Sequence, residues 1–110
     1  TGTIDTIAPI ISMVKKTVRV FENGNVKIFP NPFKDFVNIE YSLSENASIQ
    51  MEVFNLIGEK VAILENTVRS AGEYRNRFSA REYGLSSGVY FLRITQNSET
   101  QTIKIVLDNL

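Results

Sequence analysis

The chain has 110 residues, enough for one domain, and its 12 Lys and Arg residues balance 12 Asp and Glu residues. The formal net charge of zero gives no electrostatic reason to expect a nucleic-acid partner. The content of 43% hydrophobic and 22% charged residues is typical of a folded chain. The sequence contains no His, Cys or Trp, which excludes disulfides, Ser-His and Cys-His nucleophilic sites, and zinc sites built from the usual nitrogen and sulfur ligands.

The first 24 residues differ from the rest of the chain in their weak patterning. Residues 1–16 show no sustained periodicity, which is typical of a linker. Apolar and polar residues begin to alternate at Thr17, and Asn23-Gly24 is a two-residue hairpin signal because both positions tolerate positive φ. These patterns predict an extra edge strand over 17–22 that pairs with 25–29, and a linker that ends near residue 25 is the alternative.

From Val26 onward, short runs of alternating apolar and polar residues recur at spacings of roughly 10–14 residues, which are typical of sandwiches and small barrels. Each run predicts a strand with one apolar face, so two sheets can bury a shared core. No long segment carries a helical stripe. The pattern predicts an all-β domain over 25–110 with seven strands, near residues 26–29, 36–43, 49–53, 59–65, 74–78, 89–95 and 103–107.

Two loop signals interrupt these runs. Pro30 and Pro32 remove backbone donors and fix φ, so Pro30-Asn31-Pro32 is predicted to be a loop or a kinked edge. Gly58 ends the segment Asn55-Leu56-Ile57-Gly58, where it can take the left-handed conformation of a hairpin loop.

Arginines cluster near the fifth predicted strand. Arg75 and Arg77 lie two apart on one predicted strand face, with Arg69 and Arg81 nearby. The spacing fits an anion-binding or partner-docking stripe. A solvated outer face of a sheet is the favoured interpretation, because glutamates lie among the arginines.

Aromatic and acidic residues offer weaker candidates. Phe29, Phe33 and Phe36 surround the two prolines, where an exposed cluster could bind sugar or a partner. Packing of the loop onto the end of the sandwich is favoured. The scattered carboxylates match no EF-hand pattern and the glycines are isolated, so no catalytic residue, cofactor or metal ligand is predicted, although a loop calcium site stays open.

Four segments, taken together and in order, resemble a known family. They are VKIFPNP at 26–32, VFNLIGEKV at 53–61, LSSGVYFLRI at 85–94 and TIKIVL at 102–107. Their order and spacing over residues 25–110 are similar to the C-terminal sorting domain of the type IX (Por) secretion system of Bacteroidetes. The resemblance implies an immunoglobulin-like β-sandwich of about seven short antiparallel strands.

The resemblance also assigns family motif residues. Their positions in this chain are Pro30, Asn31, Pro32, Gly58, Gly88, Tyr90 and Lys104. Gly88 would let the chain turn into a buried strand, Tyr90 would place its ring in the core and its hydroxyl on a backbone group, and Lys104 would point outward. Whether these residues contact a partner or only maintain the fold stays open. The tail departs from the family pattern, because Asp108 stands where a second basic residue is often seen.

The function that the resemblance implies is a non-catalytic secretion signal. The domain would direct its parent protein from the periplasm through an outer-membrane translocon to the cell surface or medium, and a sortase-like protease would then remove it. Residues 1–24 would be a linker or the end of the N-terminally attached cargo. No nucleic-acid partner or cofactor is expected, and an exposed edge strand offers a route to self-association. The alternative function is an accessory immunoglobulin-like module of a secreted enzyme or adhesin that binds carbohydrate or protein.

Overall fold

Seven strands follow one another in the computed structural model, which describes residues 26–109. They are β1 (Val26–Phe29), β2 (Phe36–Leu43), β3 (Ala47–Phe54), β4 (Lys60–Arg69), β5 (Gly72–Ser79), β6 (Gly88–Gln96) and β7 (Glu99–Leu107). A 3-10 helix at Arg81–Tyr83 lies between β5 and β6. The predicted all-β class and seven strands are therefore confirmed, whereas the predicted strand over 17–22 lies outside the described residues.

The strands form a β-sandwich of two antiparallel sheets. One sheet has the order β1-β2-β5 and the other has the order β4-β3-β6-β7. Alternate residues of each strand face inward, as the period of two requires, and bury a single apolar core. Its fully buried large side chains are Phe33, Phe78, Ile39, Ile49, Met51, Leu92, Ile94, Ile105, Leu107, Val37 and Val53.

Two strands are longer than the pattern predicts. β4 continues to Arg69 rather than ending near residue 65, and β7 begins at Glu99 rather than near residue 103. The added residues of β4 pair with β3, and those of β7 pair with β6. Pairing with the neighbouring strand therefore extends both strands, although most of the added residues are polar. The register of β4 also shifts twice against β3, which leaves Val61 and Leu64 without an opposite residue, as in a β-bulge.

A buried carboxylate joins the two sheets. Glu65 on β4 is 7% exposed, and its Oε1 accepts hydrogen bonds from the Tyr41 hydroxyl at 2.7 Å and the Asn76 amide at 2.6 Å. The Arg69 guanidinium lies over the Tyr74 ring and pairs with Oε2 of Glu65. Three donors therefore satisfy the carboxylate, and the network links β4 to β2 and β5 of the opposite sheet.

The environment of Tyr41 predicts a loss of stability at alkaline pH. Burial, followed by the hydrogen bond to Glu65, raises the pKa of Tyr41 well above its ordinary value. Above a pH of about 10 the unfolded chain loses this proton while the folded chain keeps it, so the free energy of unfolding should fall by about 1.4 kcal/mol per pH unit. Urea unfolding of the wild type and Tyr41→Phe between neutral and alkaline pH measures the effect.

The matched control is Tyr83→Phe, because Tyr83 is 40% exposed. The Tyr83 variant should keep the alkaline decline of the wild type. The Tyr41 variant should start from a lower stability at neutral pH, having lost one hydrogen bond, and should decline less steeply. An unchanged slope in Tyr41→Phe would contradict this account.

Candidate recognition surface

The segments that carry the motif residues meet at one end of the sandwich, which we call the motif end. Phe54, the last residue of β3, lies opposite Phe91 near the start of β6, and Gly88 lies opposite Leu107 at the end of β7. The β3–β4 hairpin loop with Gly58, the start of β6 and the end of β7 therefore occupy the same end of the four-stranded sheet.

The Pro30-Asn31-Pro32 loop reaches this end by crossing from one sheet to the other. The loop follows β1 of the three-stranded sheet, and Phe33 then forms a parallel bridge with Leu107. Phe33 donates its N–H to the Val106 carbonyl at 2.8 Å and accepts the Asp108 N–H at 2.8 Å. The prediction that this segment is a loop is confirmed, and the loop covers the outer edge of β7 at its C-terminal half.

Asn31 attaches the loop to β7 through its side chain. Its Oδ1 accepts the Val106 N–H at 3.0 Å, and its Nδ2 donates to the Lys104 carbonyl at 3.0 Å. The bond to Lys104 joins residues that are 73 positions apart in the sequence. The amide thus satisfies one donor and one acceptor of the strand edge, as a neighbouring strand would. Pro30, Asn31 and Pro32 are all exposed at this edge.

The double contact of Asn31 predicts a measurable loss in Asn31→Ala. Two hydrogen bonds are removed, so the free energy of unfolding should fall by about 1–2 kcal/mol, and the Val106 amide should exchange faster with solvent. Asn31→Asp keeps the acceptor for Val106 but sets a carboxylate against the Lys104 carbonyl, so it should not rescue the loss. Urea unfolding and amide hydrogen exchange measure both effects. The control is Asn66→Ala, which changes an exposed side chain on β4. Unchanged exchange at Val106 in Asn31→Ala would contradict the assigned contact.

The β3–β4 hairpin loop is held rigid by Asn55. The Asn55 Oδ1 accepts the N–H groups of Ile57 at 3.1 Å and Glu59 at 2.9 Å, and its Nδ2 donates to the Glu59 carboxylate at 2.9 Å. Gly58 adopts φ of 87°, so its predicted left-handed conformation is confirmed. This frame presents two apolar side chains to solvent, with Leu56 68% and Ile57 78% exposed.

The start of β6 supports the motif end from inside. Gly88 has φ of 152°, a conformation that disfavours side chains, and begins the strand. The Tyr90 ring is buried, and its hydroxyl donates to the Ser86 carbonyl at 2.7 Å, which fixes the turn before the strand. Lys104 is exposed and lies opposite Phe91 on the outer face of the four-stranded sheet.

Ion pairs cover the outer face beside this end. Glu52 on β3 pairs with Lys60 at 2.7 Å and with Arg93 at 2.9 Å. The hydrogen bond from Lys60, reinforced by the one from Arg93, lowers the pKa of the Glu52 carboxyl. The Arg93 guanidinium also lies 4.4 Å from the centroid of the Phe54 ring. Glu52 therefore offsets part of the charge of its two partners, and the exposed apolar tip at Leu56 and Ile57 lies beside this charged face.

The aromatic cluster around the prolines divides between core and surface. Phe33 is fully buried against Phe78, with ring centroids 6.1 Å apart, so the favoured packing interpretation is right for this residue. It is wrong for Phe29, which remains 39% exposed because it lies on the outer face of edge strand β1. Phe36 is half-buried beneath the Arg77 guanidinium.

Within residues 26–109, no group of three or more Asp and Glu side chains is placed to hold a metal ion. The same residues include no helix of the length and hydropathy needed to cross a membrane.

Comparison with known proteins identifies one similarity. A family model described as the secretion system C-terminal sorting domain matches residues 27–108, nearly all of the part that the structure describes. No curated protein matches the chain. The match contains all seven motif residues and both sheets, so the surface described above falls within it.

Proposed function

The chain belongs to the secretion system C-terminal sorting domain family, the sorting signals of type IX secretion, and we propose that its motif end is the surface that the outer-membrane translocon recognises. Membership of this family implies export of a parent protein to the cell surface or medium and interaction with the type IX machinery. The finer proposal concerns which residues make that contact.

The convergence of distant segments carries the proposal. Asn31, Gly58, Gly88 and Lys104 are scattered along the chain, yet cross-strand pairing and side-chain hydrogen bonds bring their segments to one end. Packing alone does not require the hairpin loop at this end to expose two large apolar residues. A rigid loop with an exposed apolar tip supports binding to a preformed apolar pocket, since little conformational entropy is lost on docking.

Two further steps complete the proposed function. The domain is recognised in the periplasm while folded, and a sortase-like protease removes it after export by cutting between about residues 3 and 25. Before this cut, residues 1–24 join the domain to an N-terminal cargo. We expect no catalysis by the domain itself, because recognition by a folded surface requires no reactive side chain.

Fusion of residues 25–110 to an inert reporter tests the export signal. In a host with the type IX system the reporter should appear outside the cell, and in a matched host without the translocon it should accumulate in the periplasm. Retention of the fusion in the first host, while a native cargo is exported normally, would refute the function. Intact mass of an exported reporter fused to the full 110-residue chain tests cleavage, because that fusion contains residues 3–25 and an attached sandwich after export would refute removal.

Deletion of residues 103–110 should abolish export. The deletion removes Ile105 and Leu107 from the core as well as the edge contacted by Asn31, so loss of folding contributes to the expected result. Circular dichroism of the truncated chain separates these two causes. Normal export of the truncated fusion would contradict the proposal.

A further inference from the structure

The outer face of the three-stranded sheet carries a second surface, which begins beside the Pro30-Asn31-Pro32 loop. Two neighbouring rows of residues cross this sheet at right angles to its strands. One row is Phe29, Asn38 and Arg77, and the next row is Lys27, Glu40 and Arg75. Phe36 adjoins the first row, and we call these seven residues the Arg-Phe face.

Guanidinium groups and aromatic rings alternate on this face. The Arg77 guanidinium lies 3.9 Å from the centroid of the Phe36 ring, and the Arg75 guanidinium lies 5.8 Å from that of Phe29. Stacking holds a guanidinium plane against a ring while its N–H edge remains available to an anion. Phe29 stays 39% exposed, which leaves part of its ring open to a ligand.

Positive charge on the face exceeds negative charge. Arg75 pairs with Glu40, and its Nε lies 2.8 Å from the Glu40 carboxylate. Lys27 and Arg77 are exposed, and neither forms an ion pair with any residue between 26 and 109. The face therefore has three cations and one carboxylate, and the adjoining recess adds the Glu73 carboxylate, so the surface as a whole keeps one excess positive charge. The local excess is complementary to an anionic ligand.

Asn38 is buried at the centre of the face although it points away from the core. Only 8% of the residue is exposed, and its Oδ1 has no hydrogen-bond partner. Gln96 and Gln101 also have buried side-chain oxygens without a partner, and Asn38 is the one of the three that lies on this face. An unpaired buried acceptor lowers stability, so a ligand that donates to it gains a hydrogen bond at no cost to the fold. A ligand hydroxyl would satisfy this oxygen after a small movement of the side chains around it, because the oxygen itself is buried.

An open recess adjoins the two rows. It has a volume of about 410 Å³, and its lining includes Lys27, Glu40, Ser42, Glu73 and Arg75. The recess is large enough for sugar rings. Its lining offers several hydrogen-bond acceptors for hydroxyl groups and the Lys27 ammonium for a carboxylate, since Arg75 is already paired with Glu40.

We propose that the Arg-Phe face binds an acidic oligosaccharide, with a carboxylate on Arg77 and Lys27, a sugar ring against Phe29, and hydroxyl groups donating to Asn38 and the recess. The composition favours a sugar over a protein partner, because the face has no contiguous apolar centre of the kind that protein interfaces bury. The face lies on the other sheet from the hairpin loop with Leu56 and Ile57, and it adjoins the motif end only where Phe29 precedes Pro30. Ligand binding is measured without export, so failure of one proposal does not imply failure of the other.

Calorimetric titration of the full 110-residue chain tests the proposal. The acidic probes are trigalacturonate and a hyaluronan tetrasaccharide, the neutral probe is maltotriose, and citrate reports simple anion binding. At least one acidic probe should bind more tightly than maltotriose and citrate. Arg77→Gln should weaken that binding by about tenfold or more, since it removes a charge-assisted contact.

Two further variants distinguish a ligand contact from a structural role. Asn38→Leu should weaken binding of the acidic probe without lowering the free energy of unfolding, because the removed oxygen has no partner in the fold. Lys60→Gln, on the opposite sheet, should bind like the wild type. Failure of both acidic probes to bind, equal binding of citrate, or unchanged binding by Arg77→Gln would overturn the proposal. Self-association that Arg77→Gln abolishes would also overturn it, by making a second copy of the chain the occupant.

Discussion

Replacement of Leu56 and Ile57 together by Ser is expected to reduce export of a fused reporter to background. The two side chains are 68% and 78% exposed, so the change should leave the free energy of unfolding within about 1 kcal/mol of the wild type. The Asn55 frame of the loop uses backbone N–H groups and Glu59, and both remain in the variant. Only the apolar surface offered to a partner is lost.

Val68 provides the matched control for the hairpin tip. It lies on β4 and is also an exposed apolar residue, at 73%. Val68 lies opposite Ser48, toward the end of the sandwich that is remote from the motif end. Val68→Ser should leave export unchanged. Wild-type export by the Leu56 and Ile57 variant would show that recognition does not use the hairpin tip. Equal loss of export in the control would show that the loss of any exposed apolar residue has the same effect, wherever it lies in the sandwich.

Phe33→Ala is expected to cause the largest loss of stability among single changes near the motif end. The Phe33 ring is fully buried against Phe78, and its backbone pairs with β7 on both sides of Leu107. Removal of a buried phenyl ring forfeits its transfer free energy and leaves a cavity, so the free energy of unfolding should fall by about 3–5 kcal/mol. Urea unfolding followed by circular dichroism measures the loss.

Phe29→Ala is the comparison for Phe33. The two residues flank the same prolines, but Phe29 is 39% exposed and lies outside the core, so its replacement should cost less than about 1.5 kcal/mol. Phe33→Leu, which fills much of the site, should lie between the two. Equal losses in Phe33→Ala and Phe29→Ala would contradict the assignment of Phe33 as the residue that anchors the loop.

Some contacts at the motif end are invisible in the sequence because they join residues far apart along the chain. No local pattern indicates that the Asn31 amide binds the backbone of Lys104 and Val106. The burial of Glu65 is equally hidden, since a carboxylate in a strand is ordinarily exposed and its partner Tyr41 lies on another sheet. The positions of Phe33 and Phe29 differ only because the chain crosses between sheets after β1.

The sequence by itself determined the all-β class, the number and approximate place of the strands, the left-handed turn at Gly58 and the outward direction of Lys104. Each of these follows from the period-two alternation of side chains or from the backbone freedom of one residue, and both are local properties. The motif end and the buried Glu65 network were decided only by the tertiary structure, as was the stacking of Arg75 on Phe29 and of Arg77 on Phe36. Each depends on which strands pair and in what register, and pairing is set by the packing of two whole sheets around one core.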